Sequence, residues 1–266
     1  MRRWISGASN YLVWKMKTNA DRFVDFHAKE TQNFRGGTSM EEVYKNMVSV
    51  KPKEKIPFKC IGCGECCRHV KEQVPIEALD AFRSARYLRD HGEDILSVND
   101  FLEKYAEPAL LNECGYFVYF LKTQGVEDEC VFLENNRCRI HAANPRACRI
   151  YPFVAAPSDK GGFEYLISYE YKQHFKGAAI HPKTWMKKRF TLEDQAFLNA
   201  DFGSAKEIAW LLRKIPEDKK VKALAYFQHM KYGGFALDKP FQPQYEKNIQ
   251  MLLTYLRDQT NLDESI

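Results

Sequence analysis

The clearest apolar pattern in the chain lies near its end. After Pro243, Tyr245, Ile249, Leu252, Leu253 and Leu256 recur at i, i+4, i+7, i+8 and i+11, the stripe of an amphipathic helix. Ile76, Leu79 and Phe82 share a face up to about Leu88, with Pro75 where that helix is expected to start and Gly92 where it closes. Asn99 or Asp100 is expected to cap a short helix, FLEKYAEP. Thr191–Asp194 (TLED) and Ser204–Glu207 (SAKE) both have the form of capping boxes, and each predicts the opening of a helix. Lys219 to Lys231 is expected to be helical and to stop at Gly233 and Gly234. At the other end, residues 1 to about 30 predict a helix whose apolar side carries Trp4, Ile5, Tyr11, Leu12 and Trp14. Lys15 interrupts that side, which favours a helix packed on the protein over one lying on a membrane. Gly36 and Gly37 break it, and Ser39–Glu42 predicts a further short helix to about Met47.

Alternating and β-branched runs fall between these helices. GYFVYFLK, residues 115–122, reads as a strand. CVFL (130–133) and CRI (138–140) flank ENNR as a tight hairpin, with Cys130 and Cys138 at the strand starts. IYPFVAAP and FEYLISYEY form a second hairpin around SDKGG, turned by Asp159 to Gly162. VSVKPKEKIP, residues 48–57, reads as an extended charged linker with little to bury. The expected fold is α+β: a small cysteine-rich metal-binding core with short β-hairpins, flanked by N-terminal and C-terminal helices. Its regions are a basic helical segment and linker (1–57), a cysteine-cluster domain (58–175) and a helical region packed on the core (176–266).

Composition fits a globular chain of 266 residues, 45% hydrophobic and 14% aromatic. The net charge of +5 is concentrated in residues 1–57, which hold 11 Lys or Arg against 6 Asp or Glu, so the rest is neutral overall. A pI of about 8.6 falls short of a dedicated nucleic-acid binder, and nucleic acid is not an expected partner. No export signal and no run of eighteen apolar residues is present, so no membrane span is expected and the cytoplasm is the expected location. In that reducing compartment the eight cysteines read as metal ligands or redox groups rather than disulfides.

Four of them, Cys60, Cys63, Cys66 and Cys67, lie in the single stretch FKCIGCGECCR. The C-x2-C-x2-C spacing lets three sulfurs converge from one loop, as ferredoxin-type ligand runs do. Gly62 and Gly64 let the backbone turn sharply and bring its amides near sulfur. Cys67 directly follows Cys66, and neighbouring side chains diverge, so a polynuclear cluster or a second site accommodates both more easily than one zinc ion. Cys130, Cys138 and Cys148 supply a second wall, and all seven thiols are expected to close on one site. Arg68, His69, Arg137, Arg139, Arg146 and Arg149 flank them and could offset thiolate charge. Phe58, Tyr151, Pro152 and Phe153 could form a dry shell. Cys114 reads as a free core thiol, and His69, His174 and His181 as ordinary satisfied histidines.

CIGCGECC, CVFLENNRCRIH and NPRACRIYPF together resemble the CxxCxxCC, or YkgJ-type, cysteine-cluster family of zinc- or iron-chelating domain proteins over about residues 58–153. The resemblance implies Cys60, Cys63, Cys66, Cys67, Cys130, Cys138 and Cys148 as metal ligands; from their places beside the cysteines, Arg68, Arg146, Arg149 and Tyr151 are expected to stand behind them. Asn144 stands where the family usually has Arg, and His141 where an aromatic residue is common; His141 is read as a substitute, not a ligand. The cofactor expected is an iron–sulfur cluster of the 4Fe–4S type, with zinc as the alternative. An iron–sulfur protein would carry a redox or catalytic role and meet a protein or redox partner. A catalytic member would be oxidoreductase-like or, by analogy with related flagellin lysine N-methylases, a methyltransferase type. A zinc protein would use the module to organise a protein- or nucleic-acid-binding surface. A thiol–disulfide enzyme fits less well, because no thioredoxin-like βαβ pattern surrounds the CxxC. No Walker loop, GxGxxG or HExxH motif is present.

Overall fold

The computed structural model describes residues 47–158, 161–169 and 171–260. The helices expected before Met47, and residue Asp159 of the turn, lie outside the described residues. The architecture is α+β, with small antiparallel sheets and seven α-helices among the described residues. The chain divides into two compact units. Among the described residues, one takes the chain from Met47 to Pro75 together with Leu121–His141 and Arg146–Thr191; the other takes Ile76–Phe120, Ala142–Pro145 and the chain from Leu192 to Thr260.

The first unit is built on a three-stranded antiparallel sheet in the order Met47–Val50, Phe163–Ser168, Phe153–Pro157. Its hairpin is the one expected from SDKGG, closed by Ser158 N–H donating to Gly162 O at 3.0 Å. The edge strand was not expected. Residues 48–57 do not run as one extended linker; they pair on either side of a turn in which Glu54 N–H donates to Lys51 O at 3.0 Å, with Val50 opposite Tyr165 and Ile56 opposite Ile180 of the strand Ala179–Ile180. Both apolar residues are buried, so this lysine-rich stretch fills edge positions instead of running free.

The hairpin around ENNR is shorter than its sequence suggests, and Cys130 belongs to a different ladder. Leu133–Glu134 pairs with Arg137–Cys138 across Asn135 and Asn136, both at positive φ, as a two-residue primed turn requires. Cys130 ends the strand Glu129–Cys130 and faces Thr123. Next in the unit comes the short helix Arg146–Ile150, and then Pro182–Arg189 with proline in its first turn.

In the second unit, the helix Ala78–Asp90 begins three residues after Pro75, because Pro75–Ile76 is a short strand and Glu77 is the N-cap. Ser97, not Asn99 or Asp100, caps Val98–Tyr105. Its hydroxyl accepts from Asp100 N–H, and the Asp100 carboxylate accepts from Ser97 N–H, a complete capping box. AEP does not extend that helix; Ala106–Leu110 is a strand. Leu192–Lys214 is one helix of 23 residues, and Ser204 does not open a second. Its hydroxyl donates back to Asp201 O at 3.0 Å within the helix. Glu217–Gln228 runs into a π-helical turn, His229–Gly233, and Phe241–Gln259 buries Tyr245, Ile249, Leu252, Leu253 and Leu256 as its periodicity predicts. Phe197, Phe241 and Tyr245 pack with ring centroids 4.9–5.7 Å apart. Lys231 is buried there, in an ion pair with Asp201, to which the Tyr245 hydroxyl also donates.

Candidate metal centre

The cysteine loop turns twice at glycine. Gly62 and Gly64 have φ of 65° and 76°, and Glu65–Cys67 forms one 3₁₀ turn, with Cys67 N–H donating to Gly64 O at 2.9 Å. A side chain at Gly64 would meet the Arg68 guanidinium at 3.0 Å and the Asn136 backbone at 3.4 Å, so the loop lies close against the Asn135–Asn136 turn. Arg68 fastens the two together. It donates to Cys63 O at 3.0 Å, to the Glu129 carboxylate at 3.0 Å and to Asn136 Oδ1 at 2.5 Å. Its guanidinium therefore binds backbone, carboxylate and amide around the thiols.

Five of the seven candidate thiols share one electrostatic neighbourhood: Cys66 and Cys67 from the loop, Cys130 and Cys138 from the two short ladders, and Cys148 from the helix Arg146–Ile150. The Cys67 S–H donates to the Cys66 thiolate, which lowers Cys66 to about 7. That bond, burial and the charges of Cys66, Cys148 and Cys130 hold the Cys67 proton firmly in place. Burial pushes Cys130 up to about 11, with Cys138 and Cys66 adding to the effect, and burial also raises Cys138. Thiolates gathered this closely repel one another and need a cation to offset their charge. A soft sulfur donor set of this kind fits zinc or an iron–sulfur cluster. Among the described residues, no three or more His, Cys, Asp or Glu side chains already stand as a finished metal cage.

Cys60 and Cys63 are placed differently. Cys60 is exposed. Cys63 Sγ lies 3.2 Å from His174 Nε2, and the other ring nitrogen of His174 lies 2.8 Å from the Tyr151 hydroxyl. Phe58 is buried against Tyr151, His174, Phe175 and Trp185, with centroids 5.4–6.4 Å apart. Phe58 and Phe153 are both buried, and Tyr151 is half-buried. Burial also holds the His174 imidazole toward its neutral form. His174 is thus satisfied, as a buried histidine should be, but by residues of the cysteine region. Lys59 N–H donates to His174 O at 3.0 Å, and this long-range pairing is what delivers it. Sequence spacing carries no trace of it.

The remaining candidates have other surroundings. Arg146 is buried, and Arg149 Nε donates to Arg189 O at 3.0 Å. His141 is exposed, and the His69 backbone N–H donates to Glu127 O at 2.8 Å. Cys114 is buried among residues of the second unit and donates to Asn112 Oδ1 at 2.6 Å, as befits a core thiol.

The sequence model of the CxxCxxCC family, described as a putative zinc- or iron-chelating domain, matches residues 59–180. Over these residues the chain is similar to a CxxCxxCC domain. The match contains all seven clustered cysteines and extends past the last of them to include His174. The description carries metal binding, to zinc or iron, as the activity of the CxxCxxCC domain. No curated protein and no solved structure matches the chain. Among the described residues no helix is long and apolar enough to cross a membrane.

Proposed function

We propose that the CxxCxxCC domain holds an iron–sulfur cluster, with Cys60, Cys63, Cys66, Cys67, Cys130, Cys138 and Cys148 as its sulfur ligands. The observation that carries this reading is the group of five thiols that includes the adjacent pair Cys66 and Cys67. A single four-coordinate ion takes fewer sulfurs than this group offers, and a polynuclear cluster distributes its ligands over several metals. Bound there, the cluster supplies one-electron redox chemistry. The chain's own residues do the rest: Arg68 fixes the loop to the ladders, Phe58 and its aromatic neighbours limit water, and Arg146, Arg149 and Tyr151 support the segment bearing Cys148. The partner is then an electron-transfer protein, and a reducing compartment such as the cytoplasm suits thiols that must remain reduced.

A second reading, zinc in one or two closed sites, draws support from the Cys63–His174 contact, because sulfur with nitrogen is a common zinc donor pair. Anaerobic purification of the full chain, followed by analysis for iron, zinc and acid-labile sulfide, separates the two. A brown protein with iron and sulfide in comparable amounts is expected. A colourless protein with stoichiometric zinc replaces the cluster reading with the zinc reading.

A further inference from the structure

His174 has the surroundings of a ligating histidine. Its Nε2 is 3.2 Å from Cys63 Sγ. Two ligands of one tetrahedral ion, with metal–sulfur near 2.3 Å and metal–nitrogen near 2.0–2.1 Å, stand about 3.5 Å apart, so the observed spacing is already close to a shared-metal spacing. Its Nδ1 is 2.8 Å from the Tyr151 hydroxyl. With the proton on Nδ1, donated to that oxygen, the Nε2 lone pair faces Cys63; an outer partner of this kind fixes the tautomer of metal-bound histidines. The ring has little freedom to leave. It meets Phe58 edge-on at 86°, its residue is 4% exposed, and its carbonyl accepts from Lys59, the residue before Cys60.

We propose that His174 is an additional metal ligand, binding through Nε2 beside Cys63, with Tyr151 as its positioning residue. The centre then takes a mixed sulfur and nitrogen donor set. The inference rests on the metal-binding reading but not on the choice between iron and zinc. A neutral imidazole adds a donor without adding charge, so the centre is less negative than one with a thiolate at that position. In an iron–sulfur cluster that raises the reduction potential, and at zinc it moves the site from all-sulfur toward a cysteine–histidine type.

The test uses the full chain, loaded anaerobically with zinc alone and separately with iron and sulfide, and read by X-ray absorption at the bound metal. The wild type should show a nitrogen neighbour that His174→Ala loses and that His174→Cys replaces with sulfur while retaining the metal. If His174→Ala does not fold, His174→Cys carries the test: an unchanged nitrogen neighbour in that variant overturns the inference. Tyr151→Phe should keep the nitrogen neighbour but release metal to a competing chelator about 10–100-fold more readily. Unchanged competition removes Tyr151 from its positioning role. A wild type that binds neither zinc nor iron defeats the metal-binding reading, and this inference with it. A wild type that binds metal with the same shell and stoichiometry as His174→Ala defeats this inference alone.

Discussion

The two units of the chain hold themselves together by different means. In the helical unit, Phe82, Phe197, Phe227, Phe241, Tyr245, Leu252 and Leu256 are all essentially excluded from solvent. Each side chain so buried contributes about 1.5–3 kcal/mol. In the cysteine unit, the ladders that carry Cys130 and Cys138 are two residues long. Every non-glycine residue at positive φ among the described residues belongs to this unit: His69, Glu72, Asp128, Asn135 and Asn136. Asparagine tolerates that conformation, but histidine and glutamate adopt it at a cost of about 1–3 kcal/mol each. Apart from the Cys67 S–H bond to Cys66, the thiolate charges gathered there repel one another and raise the proton affinity of Cys67 and Cys130. The cysteine unit buries apolar residues too, Ile56, Phe132, Phe153 and Ile167 among them, but the short ladders around its thiols are left to be completed by what the thiols bind, and in such sites metal binding and folding are one equilibrium.

The comparison breaks most visibly on metal removal. Chelation should raise amide exchange in residues 58–74 and 123–150 by about 100-fold or more, since a ligand present at 100 times its Kd contributes about 2.7 kcal/mol. Exchange in 241–259 should stay unchanged. Equal loosening of both regions, followed by mass spectrometry, contradicts the distinction drawn here. Substitution probes the same contrast one residue at a time. Cys148→Ser should lose metal and unfold at lower temperature. Cys114→Ser, whose thiol bonds only locally to Asn112, should keep full metal content by elemental analysis.

On the helical side, Lys231→Met leaves Asp201 buried without its cation and should cost about 3–5 kcal/mol in urea unfolding, with metal content unaltered. Smallest is Ser97→Ala, which removes the capping box and should cost about 1 kcal/mol, again without touching the metal. The Asp100 carboxylate in that box is held below its usual range by bonds from Leu96 and Ser97 N–H. Its contribution is therefore full above the ordinary carboxylate pKa and fades as pH falls through the lowered value, so the penalty for Asp100→Ala, which loses both bonds, should shrink in acid.

Local signals were the legible ones. The stripe on Phe241–Gln259 and the turn at SDKGG depend on periodicity and on glycine, both written in adjacent residues. The cysteine list is equally local within each segment. What escaped depends on distant partners. Residues 48–57 look like a charged linker until Val50 and Ile56 find strands more than a hundred residues away. Ser204 looks like a cap because its motif is sound, yet Leu192–Lys214 passes through it and turns its hydroxyl back onto the helix. Cys130 and Cys138 appeared to share a hairpin, because a two-residue ladder carries too little pattern to separate it from the next. His174 stood 111 residues from Cys63, with only an aromatic-rich neighbourhood to mark it.

Native mass spectrometry of the anaerobically purified full chain, run beside Cys66→Ser, tests the central claim most directly. The wild type should carry a mass excess equal to bound zinc or to an iron–sulfur cluster, and the variant should lose all or part of it. A wild type at its apo mass, with Cys60, Cys63, Cys66, Cys67, Cys130, Cys138 and Cys148 all open to alkylation, would contradict a metal centre in this domain.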